Sequence, residues 1–535
     1  MDIRKLFIHS YYLVSISFER TIEVNGRKYR QLVESRWDSE KKQSRIHVVR
    51  HLGRVVEREG REVVIPSEMR FDTLDRSFPV GFLAVIWSVA GEFGISDAIA
   101  SILDGDAAYA ILILSINQLL GRRSLTKIGP WVSESPLPRW SRRDGFLTKD
   151  SLLSSLDRVS SDDQSLAHAI QNALVEKWKE IAGDDSPAYF FHDITRMRWN
   201  GEEAYYAERG YGSTVGRPHI GFGLLVSRKH YFPVAGYPVR GSKPDKTTVP
   251  MELDSLGRFG IREATIVWDR GFVTKGNVDY AISKGFHVLS GGTHTSSEVE
   301  SLISQYRDEE IERSHNLTEL SDHAVYHEDS VGSLYGHRSV IAVMLDPERR
   351  NRERMERDRM IHALENADSR EEIRKLVSEL KPIAMPAKGR RGYRIDHDQE
   401  DRIRRMDGRS LFFCTRPHIK GEEIVTTYFQ KDRVEKAFRY LKGDASIAPV
   451  RYQLPGRVEA YLSVVCFISY LIISAILWKM DVSDLEISYE DLVEKTSKIH
   501  EVTMTSRGSQ IHRWTAIGKE LEKLLKPFNI TSLET

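Results

Sequence analysis

Cysteine is almost missing from this chain: only Cys414 and Cys466 occur in 535 residues. They have no metal-ligand spacing and no partner pattern, so no cysteine zinc site is possible, and a reducing intracellular compartment fits best. An excess of charge of one sign is also missing. The 78 Lys and Arg stand against 77 Asp and Glu, for a formal charge of +1, which excludes a uniformly basic DNA-coating protein but not local basic patches. The start, Met1-Asp2-Ile3-Arg4-Lys5, lacks the apolar core of a secretory signal. There is no repeat of fixed period and no low-complexity tract. Long apolar runs are absent but for residues 460–478, which carry no charge and could span a bilayer. Ser463, Ser469, Tyr470 and Ser474 dilute that run and no second span accompanies it, so it reads as a helix buried in a large α/β core, with no membrane partner.

What is present is ordinary for a globular protein: 40% hydrophobic and 29% charged residues. The length implies two to four domains. Residues 1–75 read as a β-rich segment, with strands over YRQLVESRW, SRIHVVRHLG and EVVIP and basic patches at Lys41, Lys42, Arg45, Arg50 and Arg54. Residues 76–182 have apolar stripes at helical spacing and read as a helical domain suited to gripping DNA ends or to scaffolding. From residue 183 to 295 the order is three strands, helix, strand, helix, strand, which predicts a ribonuclease H-like mixed sheet flanked by helices. Residues 296–415 are charge-rich and read as an insertion domain. Residues 416–482 complete the core, and 483–535 read as a helical tail.

Three acids stand out. The apolar strand PAYFFHDIT is expected to end in Asp193, and ATIVWDRG carries Asp269 at a second strand end. Glu435 lies in the run Y-x2-K-x3-E-x6-K, made by Tyr428, Lys431, Glu435 and Lys442. At about 100° per residue these four share one helical face, while Val434, Phe438 and Leu441 form the adjoining apolar stripe. Splitting or transferring a phosphodiester needs an activated oxygen nucleophile, a stabilised leaving oxygen and neutralised phosphate charge. Two divalent metals roughly 4 Å apart supply all three, and carboxylates are the ligands that hold them. The residues alone lead to metal-dependent phosphodiester chemistry and no further.

HDIT around Asp193, VWDRGF (267–272) around Asp269 and YFQKDRVEKAFRYLK (428–442) around Glu435 resemble the prokaryotic insertion-sequence transposases of the DDE class that carry a Y-R-E-K signature. GYPVRGSKPDKTT (236–248) is similar to the turn between the first two acids of that family, and Lys431 stands where the signature has Arg. The resemblance implies that Asp193, Asp269 and Glu435 are catalytic and bind two Mg²⁺ or Mn²⁺ ions. It implies that Tyr428, Lys431 and Lys442 hold phosphates. Double-stranded DNA, both transposon ends and target, would be the partner, engaged by a homodimer in the cytoplasm at the nucleoid. Arg196 and Arg270 follow the acids closely and are candidate DNA contacts. Competing readings are a metal-dependent nuclease without strand transfer, an inactive DNA-binding transposase derivative and, from residues 460–478, a membrane-anchored protein.

Other motifs carry less. Asp245 reads as a turn residue, and His192 should face away from Asp193. His323 and His327 have metal-ligand spacing, as does Asp396-His397-Asp398, but neither has the Glu of a zinc hydrolase. Gly291-Gly292 lacks a Walker lysine. The loop 388–394 is a candidate phosphate contact because glycines alternate with cations.

Overall fold

The apolar runs between residues 189 and 414 pair into one mixed sheet of nine strands. These are β1 (Tyr189–Arg198), β2 (His219–Ser227), β3 (Pro233–Arg240), β4 (Thr265–Trp268), β5 (His287–Gly291), β6 (Leu317–Glu319), β7 (Ala324–Leu334), β8 (His337–Leu345) and β9 (Arg409–Cys414). Their order across the sheet is β6-β7-β8-β9-β5-β4-β1-β2-β3. β1, β2 and β3 are an antiparallel meander, and β4 and β5 run parallel to β1. From β9 outward the pairing is antiparallel again. In the computed structural model the described residues run from 17 to 530, apart from 25, 39–42, 59–60, 66–72, 144–146, 161–164, 184–188, 200–204, 211–217, 259–260, 294–295, 321–322, 388–391, 443–451 and 507–508.

The helices that bear on the site are α1 (Ser165–Ala182), α2 (Val249–Arg258), α3 (Lys275–Ser283), α4 (Pro347–Glu365), α5 (Gly421–Phe429), α6 (Lys431–Lys442) and α7 (Pro455–Val482). α2 carries the chain from the edge strand β3 back to β4, and α3 makes the crossover that parallel neighbours β4 and β5 require. Every residue of β2 is buried, as expected of a strand covered on both faces. α7 is long and apolar enough to cross a membrane by length and composition, yet 94% of its apolar window is buried inside the protein. The segment Tyr461–Cys466 within it is a π-helix. Its wider turns loosen the usual ladder, and the Ser463 carbonyl accepts a hydrogen bond of 2.6 Å from Gln171 Nε2 of α1. The same amide nitrogen donates to Gly236 O of β3 at 2.8 Å, so one buried side chain ties two helices to the sheet.

Several sequence expectations are corrected. β6, β7 and β8, from the stretch expected to form an insertion, pair into the main sheet beyond β9. The tail includes strands His500–Ser506 and Ser509–Trp514, which pair with each other, and the first of them also pairs with Thr73–Pro79. β1 continues five residues past Asp193, because it goes on pairing with β2 after its partner β4 has ended. The signature run is two helices that meet at Gln430, not one.

The chain forms two compact units, chiefly Met1–Ser77 with Glu501–Thr515, and Phe78–His500 with Ala516–Glu534. Strands Ser17–Val24, Arg27–Asp38, Gln43–Arg58 and Arg61–Ile65 form an antiparallel sheet in the first, where the sequence predicts strands. The nine-stranded sheet and helices α1 to α7 lie in the second, with the helices between Gly81 and Val159.

Candidate active site

Strand pairing places the first two acids. β1 and β4 are parallel, with Tyr189 opposite Thr265, Phe190 opposite Ile266 and Phe191 opposite Val267, a constant offset of 76 residues. The same offset separates Asp193 from Asp269, so each acid lies two residues past the last paired row of these adjacent strands. β4 must stop at Trp268 for this to matter: Asp269 then leaves the ladder and is half exposed.

The third acid arrives by packing. Val434, Ala437 and Phe438 of α6 are buried, each such side chain contributing roughly 1.5–3 kcal/mol when large and fully covered. The Phe438 ring meets Phe222 of β2 edge-on at 6.3 Å and Tyr470 of α7 at 5.6 Å. This seats α6 over the face that carries Asp193. The adjoining stripe of α6 then carries Lys431 and Glu435.

Lys431 is the hub. Its Nζ lies 3.1 Å from Glu435 Oε1 and 3.7 Å from Asp269 Oδ2, and only 5% of the residue is exposed. Burial by itself would lower its pKa, but Asp193, Asp269 and Glu435 together outweigh that and raise it, so the ammonium stays charged. Asp193 shows the reverse. Burial raises its pKa, Lys431 pulls it back down, and the Glu435 charge pushes it up. The Asp193 carboxylate is steered by the backbone N–H of Ile194, which donates to Oδ1 at 2.9 Å. The Tyr428 hydroxyl donates to Asp269 Oδ1 at 3.2 Å, and burial and the Asp269 charge push that phenol up to about 12.

The other face of β1 is a buried polar relay. His192 Nε2 stands 2.7 Å from the Tyr237 hydroxyl and His192 Nδ1 lies 2.9 Å from Glu252 Oε2 of α2. Burial, with Glu252 and Asp245 nearby, raises the Tyr237 pKa well above its ordinary value. Tyr237 lies over the bare backbone of Gly223, where a Cβ would come within 2.5 Å of the ring.

The sequence candidates are thus placed as follows. Asp193, Asp269, Glu435, Tyr428 and Lys431 converge, with Lys431 buried among carboxylates where a phosphate contact was expected. The Lys442 side chain lies outside the described residues, as do residues 388–391 of the candidate phosphate loop. Arg196 turns inward, donating to Gly241 O, Lys243 O and Asp245 Oδ1, so it braces the turn after β3 in place of the DNA contact expected. Arg270 lies across Gly291 and donates to Ser410 Oγ at 3.2 Å. His323 and His327 flank the start of β7 and sit near Asp346 and Asp329 respectively. Glu252 and Ser410 went unnoticed in the sequence because neither stands in a motif.

Among the described residues no group of three or more His, Cys, Asp or Glu side chains converges tightly enough to hold a metal ion. The Lys431 ammonium takes the space between Asp269 and Glu435. The donor set still suits a hard divalent cation, being three carboxylates without sulfur, one of them with a raised pKa that added positive charge would relieve.

No protein-family model and no curated protein matches the chain. Among solved structures it is similar to one described as a cryo-EM structure of piggyBac transposase synaptic complex with hairpin DNA, with a TM-score of 0.37 and 9% identity over 81% of each chain. That likeness is too distant to establish a shared fold.

Proposed function

We propose that this chain is a DDE-class transposase with a ribonuclease H-like core. On this reading it cleaves phosphodiester bonds at transposon ends and transfers the freed 3′-hydroxyl to target DNA. The observation that supports the reading is that Asp193 and Asp269 each follow the last paired row of adjacent parallel strands, with Lys431 within 3.7 Å of Asp269 and 3.1 Å of Glu435. The strand sequence β1 to β5, a meander followed by two crossovers, is the order that a ribonuclease H-like core requires. Likeness of HDIT, VWDRGF and the Tyr428–Lys442 run to the insertion-sequence group supplies the strand-transfer part.

Asp193, Asp269 and Glu435 would hold two Mg²⁺ or Mn²⁺ ions. When bound, such ions supply an activated water and neutralise charge on the attacking and leaving oxygens. The chain's own residues prepare the site. Tyr428 fixes one oxygen of Asp269, the Ile194 N–H turns Asp193, and the His192–Glu252–Tyr237 relay locks β1 from behind. Lys431 pairs with Asp269 and Glu435, and its charge counters the burial that raises the Asp193 pKa. The partner is double-stranded DNA, and a homodimer would bring two ends together in the cytoplasm.

The test is Mg²⁺-dependent nicking and joining of a duplex carrying the terminal inverted repeats that flank the coding region. The Asp269→Asn variant is expected to lose nicking while it still binds the ends. Nicking by that variant at the wild-type rate would remove Asp269 from the mechanism. Nicking without joining by the wild type would make the protein a nuclease.

A further inference from the structure

We propose that Arg270, Arg349 and Ser410 form a pocket for one backbone phosphate of DNA, set beside the acidic centre. The proposal rests on the DNA reading above and adds a binding site to it. Arg349 comes from the first turn of α4, in the stretch where the sequence points only to an insertion.

Three observations build the pocket. First, the two guanidinium groups meet at a single neutral atom. Arg270 Nη2 and Arg349 Nη2 donate to Ser410 Oγ at 3.2 and 3.1 Å. A hydroxyl can accept both bonds but brings no negative charge, so two like charges share one acceptor. Burial lowers the Arg349 pKa, and the Arg270 charge works in the same direction. Second, the nearby acids Glu353 and Asp346 offset the Arg349 charge only in part, because each has an oxygen held by a backbone N–H. Glu353 Oε2 accepts from Gly408 N at 2.7 Å, leaving Oε1 at 3.6 Å from Arg349 Nε. Asp346 Oδ1 caps α4 by accepting from Arg349 N at 2.9 Å, and its other oxygen faces His323 at 3.6 Å. The buried Nε atoms of Arg270 and Arg349 have no hydrogen-bond partner among the described residues.

Third, the pocket opens where DNA would lie. The Arg349 side chain is 27% exposed. Arg270 directly follows Asp269, and Ser410 shares a face of β9 with Phe412, whose ring lies 4.5 Å from that of Tyr428. A phosphodiester placed between the two guanidiniums would accept from both forks and separate their charges. Gly291 is what lets Arg270 lie flat on the sheet, since a Cβ there would come within 2.6 Å of Arg270 Nε.

The experiment measures binding of the full chain to a fluorescent duplex in EDTA over a salt series. It compares wild type with Arg349→Gln, Arg270→Gln and the exposed control Arg402→Gln, whose partner is Glu300. Circular dichroism confirms that each variant is folded, and two site variants guard against the failure of one. Each site variant is expected to bind about tenfold more weakly at low salt. Each should also lose about 0.9 from the slope of log Kd against log salt, as for one lost phosphate contact. The control should match wild type. A wild type that binds DNA while both site variants keep its affinity and slope overturns the pocket. If wild type does not bind DNA, inorganic phosphate is the second probe. A thermal shift of wild type that both site variants lack keeps the pocket as an oxyanion site and rejects the DNA reading. No shift overturns both.

Discussion

Replacing Lys431 with methionine tests whether the acidic centre is a cation site. The substitution keeps the volume and removes the charge. At an effective dielectric of about 20, each contact of the ammonium with Asp269 or Glu435 has a gross attraction of roughly 5 kcal/mol. Both carboxylates are about half exposed, at 51% and 52% of the side chain, so solvent screens much of this, and burying the ammonium has its own cost. The net loss without metal is therefore about 1–3 kcal/mol at neutral pH. The sign follows from the raised Lys431 pKa. Stability from this charge is complete below the unfolded lysine pKa and lost only as pH rises through the higher folded value. Wild type and variant thus differ across the whole neutral range. A divalent ion should restore what the variant lacks, and it need not compete with an internal ammonium. Thermal unfolding is followed against Mg²⁺ concentration. Half-saturation for Lys431→Met is expected at roughly tenfold lower Mg²⁺ for each 1.4 kcal/mol of competition removed. An unchanged or higher midpoint would refute the idea that Lys431 and a metal share these carboxylates.

Two further outcomes follow from burial. Cys414 and Cys466 are buried free thiols whose pKa values burial pushes up to about 12. At pH 8 roughly one part in ten thousand is thiolate, so alkylation followed by mass spectrometry should label neither cysteine until the protein is unfolded. Gly291→Ala puts a methyl group within 2.6 Å of Arg270 Nε, which should lift Arg270 from Ser410. The expected result is a loss of about 1–3 kcal/mol of stability by denaturant unfolding, with a salt slope of DNA binding that matches Arg270→Gln. A slope equal to that of wild type would show that Arg270 does not need this seat.

The sequence was legible where one element explains a residue by itself. The apolar run before each aspartate marked a strand, and the α6 stripe of Val434 and Phe438 fixed which side of the helix looked outward. Serines diluting residues 460–478 pointed to a core helix, and α7 is buried. What stayed hidden depends on pairing between distant segments. Nothing local reveals that β6 to β8 extend the sheet, because β7, next to the short edge strand β6, alternates exposed and buried residues over much of its length like any solvated hairpin. The tail strands His500–Ser506 and Ser509–Trp514 are short and polar, and their alternation is weak beside that of the core. Lys431 read as a phosphate contact on the helix face it shares with Glu435. Only the seating of α6 over β1 turns Lys431 into a buried counter-ion.

The near-zero net charge hides a local segregation that bears on the order of events. Three carboxylates and Lys431 give the acidic centre a formal charge of −2, and Arg270 with Arg349 place +2 beside it. Without metal these halves cancel at long range, and a DNA backbone meets little net attraction. Two divalent ions would turn the acidic half from −2 to +2 and make the whole face positive. On the proposed function, metal loading and DNA engagement would be coupled through the field of the site. By reciprocity the duplex should also raise the affinity for the ions.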